Sequence, residues 1–387
     1  MYKIQTMNAI AARGLDYLAA HDCEAGPEVA NPQALLIRSA VLHDTTFNPE
    51  LLCIARAGAG FNNIPVDRCA EEGIVVFNTP GANANAVKEM AVAALLLASR
   101  DILGGMDWVR SVADQGDAVP KLVEKEKNRF VGPELMGKKL GVIGLGAVGA
   151  RVANAAVTLD MEVYGYDPYL SVDAAWSLSS QIRHVTEMDD IFRTCDYISI
   201  HTPYMPSTHH TINAEAIAKM KDGVRFLNLA RGELVDDEAM IAALQSGKVA
   251  RYVTDFPNAA LLAAPNVVPT PHLAASTPEA EENCAYMGAK QIVDYLRNGN
   301  IRNSVNLPNA SLDRLGRSRL CIHHKNQPGM LNKFLEVIAG LNINVEHMMN
   351  KARGEYAYTI FDTTEELPES VLPVISATEG VIRTRLL

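Results

Sequence analysis

The chain has 387 residues, 48% hydrophobic and 21% charged, an ordinary globular composition with room for two or three domains of ~150 residues. Lysine plus arginine is 35 and aspartate plus glutamate 45, so the net charge is −10 at pH 7. That balance argues against a nucleic-acid or anionic-membrane binder, because neutralising phosphates needs an excess of Lys and Arg.

The opening MYKIQTMNAIAARG has no continuous apolar core of the signal-peptide kind. The uncharged run Met90–Ser99 is too short to span a bilayer, and the longer one, Phe256–Pro278, holds five prolines and cannot be a regular helix. The six cysteines (Cys23, Cys53, Cys69, Cys195, Cys284, Cys321) show no CxxC spacing. Reduced, mostly buried thiols in a cytoplasmic protein are expected, with no disulfide framework and no metal site. The adjacent pairs His209-His210 and His323-His324 do not change this, since neighbours in a strand face opposite sides.

In chain order, short apolar runs at Ala34–Arg38, Gly73–Phe77, Lys139–Ile143, Glu162–Tyr166, Tyr197–Ile200 and Arg225–Leu229 alternate with helical patterns. Continuous β-branched runs between helices predict parallel strands buried on both faces, hence α/β architecture with two doubly wound parallel sheets. Ala86–Arg100 reads as a long buried helix. The more polar stretch to about Pro133 reads as a crossing between two α/β units. A helix over Glu279–Leu296 stops at Asn298-Gly299, and Asn303–Ser318 reads as a linker. Beyond it, strands at Leu320–His324, Ile343–Met349, Tyr356–Asp362 and Val381–Leu387 and helices at Gly329–Gly340 and Glu369–Thr378 predict a ferredoxin-like β-α-β-β-α-β unit.

The strand Lys139–Ile143 runs straight into Gly144-Leu-Gly146-Ala147-Val148-Gly149 and then a helical pattern. The first glycine permits a tight turn, the second lets backbone approach a pyrophosphate, and the third allows close helix packing. The following helix offers free N–H groups and a positive dipole end to phosphate. A second strand ends in Asp167, 18 residues after Gly149, placed to accept hydrogen bonds from ribose hydroxyls. An acid there repels a 2′-phosphate, so NAD is expected rather than NADP.

Three further segments fall where strand ends should meet this cofactor: His201-Thr202-Pro203, Asn228-Leu229-Ala230-Arg231-Gly232 and Thr270-Pro271-His272-Leu273-Ala274-Ala275. Singly, each has a structural alternative: His201 as a hydrogen-bonded wall residue, Arg231 as a surface ion-pair residue, His272 as a loop histidine. Their joint order is specific. GLGAVG, YGYDP, HTPYMPST, NLARGELVD and NVVPTPHLAAST, preceded by RAGAGFNNIPVD and FNTPGANANAVKE, closely resemble the D-isomer-specific 2-hydroxyacid dehydrogenase family over essentially the whole chain. The C-terminal unit resembles the ACT domain of the branch that acts on D-3-phosphoglycerate.

The resemblance implies a discontinuous substrate-binding domain (residues 1–98 and 285–305), a Rossmann NAD-binding domain (99–284) and an ACT regulatory domain (318–387). The implied reaction is NAD-dependent oxidation of D-3-phosphoglycerate to 3-phosphohydroxypyruvate, the entry to L-serine synthesis. The alternatives are a hydroxypyruvate or glyoxylate reductase of the same family, and a non-catalytic NAD- or amino-acid-sensing regulator. Carried over position by position, Arg231 pairs with the substrate carboxylate and His272 is the acid/base. Gly144, Gly146, Ala147, Val148, Gly149, Asp167, His201, Thr202, Leu229, Ala230, Asp255, Ala274 and Ala275 line the cofactor. Arg56, Ala57, Gly58 and Asn83 form the substrate-side loop, and His324, Asn326 and Asn344 match serine-binding positions. A homodimer or homotetramer is expected.

One departure stands out. The family places a glutamate between the strand bearing Asp255 and the histidine, where it holds the imidazole. Here the stretch reads DFPNAALLAAPNVVPTPH, with Ala259 or Ala260 in that place. Either Asp255, Glu233 or Asp236 serves instead, or His272 works unaided, because imidazole titrates near neutrality by itself. The net charge would also repel a phosphorylated acid, so local cations must compensate. Arg56 is one candidate; Lys121, Lys125, Lys127 and Arg129 are others, although Glu124 and Glu126 interleave with them as on a solvated helix face.

Overall fold

In the computed structural model, which describes residues 1–387 except Asp173, the apolar runs assemble into three sheets. Two compact units divide the chain, one of Met1–Asn83 with Thr277–Leu387, the other of Ala84–Ser276.

The first unit opens with β1 (Tyr2–Met7), β2 (Cys23–Gly26), β3 (Ala34–Ile37), β4 (Cys53–Arg56) and β5 (Val75–Phe77), all parallel in the order β2-β1-β3-β4-β5. β3 and β5 are buried at every residue, which is why their sequences are unbroken apolar runs rather than alternating ones. The helix Pro278–Asn298 packs on this sheet. The Thr277 hydroxyl accepts the Ala280 N–H at its start, Pro278 occupies its first turn, and Gly299 ends it at φ 69°, so the Asn298-Gly299 stop acts as read.

The second unit carries β6 (Lys139–Ile143), β7 (Glu162–Tyr166), β8 (Arg183–His184), β9 (Tyr197–Ile200), β10 (Val224–Asn228), β11 (Val249–Thr254) and β12 (Val267–Pro269). They are parallel in the order β12-β11-β10-β9-β6-β7-β8, so strand order reverses between β6 and β9. Ligands bind outside the strand carboxyl ends at such a reversal. Leu140, Val142, Leu227 and Val253 face one layer of helices, including Ala84–Ser99; Ile143, Ile198, Ile200 and Phe226 face the other. The helix Ala84–Ser99 is tied down by Ser99 Oγ against Tyr197 Oη (2.7 Å) and by Arg225 Nε donating to the Ala98 carbonyl (2.9 Å). The polar stretch that follows forms the helices Ile102–Ser111 and Val119–Glu126. Lys127 pairs with Glu124 (2.5 Å), and Arg129 and Lys125 pair with Glu126, all with exposed cationic side chains.

The chain then returns to the first unit with β13 (Ser318–Lys325), β14 (Val345–Arg353), β15 (Tyr356–Thr363) and β16 (Val381–Leu386), antiparallel in the order β14-β15-β13-β16. With helices Met330–Gly340 and Val371–Ser376 this is the expected β-α-β-β-α-β order. One face packs on those helices through Leu320, Ile322, Phe334, Phe361 and Ile375. On the other, Cys321, Tyr358 and Ile360 share a core with Cys53, Phe77, Ile292 and Tyr295. Tyr358 Oη donates to the Gly299 carbonyl (2.7 Å) and Arg385 Nη2 to the Leu296 carbonyl (2.7 Å). The four-stranded sheet is therefore fastened to the end of the long helix. All six cysteines are free and buried. Among the described residues no helix is long and apolar enough to cross a membrane.

Candidate active site

Gly144 follows β6 at φ 88°, a left-handed conformation that glycine adopts without steric cost, and its N–H donates to the Tyr166 carbonyl (2.8 Å). A side chain there would press on the backbone of His201 and Thr202, which follow β9. Gly149 begins the helix Gly149–Thr158, and a side chain at Gly149 would collide with the Gly144 carbonyl. Above Gly146 the space is open, with nothing within 4 Å of the position a Cβ would take. Ala147 and Val148 complete the turn. The loop thus leaves its backbone approachable at Gly146 while being locked at Gly144 and Gly149.

Asp167 follows β7. Its Oδ2 accepts the Leu145 N–H (2.9 Å) and its Oδ1 the Tyr169 N–H (2.9 Å), so the acid is held against the glycine loop. Thr202 Oγ1 is buried with no hydrogen-bond partner among the described residues. The Thr202 backbone lies against Gly144 of the glycine loop, and an unpaired hydroxyl there fits a polar ligand such as a dinucleotide, since buried hydroxyls ordinarily find partners. His201 instead pairs Nε2 with Ser199 Oγ (2.9 Å), and burial pulls its pKa down to about 4, which keeps the ring neutral.

Arg231 is presented by a turn after β10 that Asn228 shapes. Fully buried, the Asn228 amide donates to the Arg231 carbonyl (2.8 Å) and accepts the Ala230 N–H (3.1 Å). Leu229 is buried beneath this turn, and Arg231 Nη1 donates to the Ala230 carbonyl (2.6 Å). Asn228 has no assigned role in the sequence reading; only the fold reveals that its amide closes the turn.

His272 follows β12 at φ 49°, unusual for a side-chain-bearing residue. The carboxylate holding this conformation is Asp255, buried at the end of β11. It accepts the Thr270 hydroxyl (2.7 Å) and the N–H groups of Leu273 (3.0 Å) and Ala274 (3.1 Å), gripping the chain on both sides of His272. Ala274 is buried below, with Ala275 next to it half-buried. Asp255 therefore serves the loop around His272, not the ring. Asp236 caps the helix Asp237–Ser246 through Ala239, and Glu233 is exposed. Among the described residues no carboxylate bonds the His272 imidazole; its ring lies against Phe256, centroids 4.6 Å apart.

In the first unit, the loop after β4 is pinned by Ala57 N–H to the Ile37 carbonyl (2.7 Å) and by Gly58 N–H to Thr79 Oγ1 (2.7 Å). Arg56 Nε donates to the Arg38 carbonyl (3.1 Å), and a side chain at Gly58 would run into the Arg56 guanidinium. Asn83, half-buried, closes this part of the chain. His324 is buried, with Nδ1 against the Lys325 carbonyl (2.8 Å) and Nε2 against Thr359 Oγ1 (2.8 Å). Asn326 and Asn344 are exposed; Asn326 Nδ2 donates to the Gly354 carbonyl (3.2 Å). No hydrogen bond joins these three among the described residues.

Residues 92–274 match the family described as D-isomer specific 2-hydroxyacid dehydrogenase, NAD binding domain. The chain is similar to D-3-phosphoglycerate dehydrogenase of Escherichia coli strain K12, 33% identical over 87% of this chain and 82% of that protein. It belongs to the D-isomer specific 2-hydroxyacid dehydrogenase family. The matched stretch lies within the seven-stranded unit, which therefore carries the family's NAD-binding domain. It is also similar to D-3-phosphoglycerate dehydrogenase of Methanocaldococcus jannaschii, 36% identical over 75% of this chain, which spans only 55% of that relative's length. In fold it resembles the NAD-bound 3-phosphoglycerate dehydrogenase of Entamoeba histolytica (TM-score 0.60, 24% identity, covering 79% of this chain and 98% of that one).

Proposed function

We propose that this dehydrogenase oxidises D-3-phosphoglycerate to 3-phosphohydroxypyruvate with NAD. The observation that carries the reading is a placement. Arg231, Asp255 and the His272 turn lie at the carboxyl ends of β10, β11 and β12, in the same sheet whose β6 and β7 end in the glycine loop and Asp167. The names of the relatives support the substrate.

In this reading the Arg231 guanidinium takes the substrate carboxylate with its planar fork, which orients C2. His272 accepts the proton of the C2 hydroxyl as the C2–H bond breaks and the carbonyl forms. NAD, when bound, supplies the acceptor for the hydride. Asp167 orients the cofactor and Thr202 Oγ1 provides a hydrogen-bonding group. The family resemblance assigns Arg56 as the source of positive charge for the phosphate. Pairing into a homodimer or larger homo-oligomer is supported by the helix Ile102–Ser111, which buries none of its residues and exposes Ile102, Leu103, Met106 and Val109. Binding of L-serine at the C-terminal unit rests on Asn326 and Asn344, with His324 engaged internally.

Initial rates of NAD reduction with D-3-phosphoglycerate, D-glycerate and D-lactate side by side test this. The expected kcat/KM for phosphoglycerate exceeds the others by at least ~10²-fold, the discrimination available to sites built for charged hydrogen-bonding groups. Preference for D-glycerate assigns a hydroxypyruvate or glyoxylate reductase. Absence of turnover with all three assigns a non-catalytic regulator.

A further inference from the structure

Phe256 follows Asp255 and is the side chain that meets the His272 ring. Its N–H donates to Thr254 Oγ1 (3.1 Å), which anchors it to the end of β11. On one side its ring meets the His272 imidazole, centroids 4.6 Å apart and planes tilted by 53°. On the other it packs on Gly232, the residue after Arg231; a Cβ added there would stand 3.3 Å from Phe256 Cβ and 3.8 Å from Cγ. The segment beyond Phe256 carries no acid to the ring either. Asn258 caps a short helix, Ala259–Ala263, through the Leu261 N–H, and Ala259 and Ala260 are exposed on it.

We propose that Phe256 is the positioning residue for His272, holding the imidazole by ring contact where the family uses a glutamate and spacing it from the Arg231 turn through Gly232. The division of labour is physical. Asp255 spends its lone pairs on the backbone around a left-handed histidine, so it fixes where the side chain starts. The χ angles beyond that point are free unless something packs on the ring. Tilted aromatic pairs are a favoured arrangement and restrict such a ring without adding charge. Positioning matters because displacement of a reacting group by about 1 Å is enough to cost ~10²-fold in rate. The proposal rests on the reading of His272 as the acid/base, and its test separates the two.

The test uses the full chain and the variants Phe256→Leu, Phe256→Tyr and His272→Gln. Histidine labelled with ¹³C at ε1 gives a ring signal for each histidine, and His272→Gln identifies the one of interest. In the wild type that signal is displaced by the Phe256 ring current; Phe256→Leu removes the displacement and Phe256→Tyr keeps it. This readout needs no turnover, so it stands even if the substrate reading fails at the wild type. With turnover, Phe256→Leu lowers kcat at least ~10-fold while the KM for D-3-phosphoglycerate, the Kd for NAD and the thermal midpoint stay near wild type, and Phe256→Tyr recovers most of the rate. An unmoved His272 signal, an unchanged kcat in Phe256→Leu, equal losses in Leu and Tyr, or a loss matched by weaker NAD binding or a lowered midpoint would each overturn the proposal.

Discussion

Arg319 and Asp362 face each other across β13 and β15 as a bidentate ion pair, Nε to Oδ1 at 2.6 Å and Nη2 to Oδ2 at 2.7 Å, with both side chains fully buried. Arg319 Nη1 also donates to the carbonyls of Asn298 (2.8 Å) and Leu312 (2.9 Å), so the pair clasps the end of the long helix and the following loop to the C-terminal sheet. Removing one partner leaves an uncompensated buried charge. Asp362→Asn should therefore destabilise the chain by about 3–5 kcal/mol, read as a lower urea midpoint. A midpoint within experimental error of wild type would show that the clasp contributes nothing.

Asp167 does two jobs, and substitutions can part them. Asp167→Asn keeps an acceptor for the Leu145 N–H but removes the charge. It should bring NADP use closer to NAD use, with glycine-loop geometry intact. Asp167→Ala loses the acceptor as well and should weaken NAD by a further ~5–10-fold, about the net worth of one neutral hydrogen bond. Cofactor titrations of both variants check this. Equal NAD and NADP affinity in the wild type would refute it.

The acid/base and the anion fork should separate kinetically. His272→Ala is expected to lower kcat by at least ~10²-fold with NAD affinity near normal, because general-base loss acts on the chemical step. Arg231→Lys keeps the charge but loses the planar fork, so KM should rise and kcat fall together. Steady-state rates with separate NAD titrations decide. Wild-type turnover in either variant removes that residue from the mechanism.

Acid should destabilise the chain before its carboxylates titrate. Burial lowers the pKa of His201 to about 4, and that of His323 well below the usual histidine value. Between ~6.5 and those folded-state values the unfolded chain binds protons that the folded chain refuses, so stability rises with pH and is lost as pH falls through that window. Each such histidine contributes a slope approaching 1.4 kcal/mol per pH unit. His323→Phe fills the same site without a titrating ring and should flatten the decline between pH 6.5 and 5. Thermal midpoints measured at half-unit steps provide the check, and an unaltered slope counts against His323.

L-serine is expected to inhibit without simple competition against phosphoglycerate, through Asn326 and Asn344 on the C-terminal unit. Coupling of this kind is typically ~1–3 kcal/mol, or about 5–150-fold in affinity. Asn344→Ala should abolish inhibition with basal turnover unchanged. Calorimetry and rates with millimolar serine test it; neither binding nor inhibition would leave the C-terminal unit as an assembly module.

What the sequence alone determined was local. Gly144, Gly146 and Gly149 between a strand and a helix, Asp167 after the next strand, the Asn298-Gly299 stop and the β-α-β-β-α-β order all follow from neighbours within a few turns of chain, where backbone conformation and periodicity speak directly. Tertiary structure decided the rest, because it depends on which distant residues strand register brings side by side. Asp255 looks in sequence like a substitute for the absent glutamate, yet folding turns its oxygens onto Thr270, Leu273 and Ala274. His324 reads as a ligand-binding side chain, but antiparallel pairing with β15 buries it against Thr359. The segment after Asn303 reads as a linker to a separate unit, whereas Cys321, Tyr358 and Ile360 share one apolar core with Cys53, Phe77 and Tyr295, since hydrophobic burial rewards contact irrespective of separation along the chain.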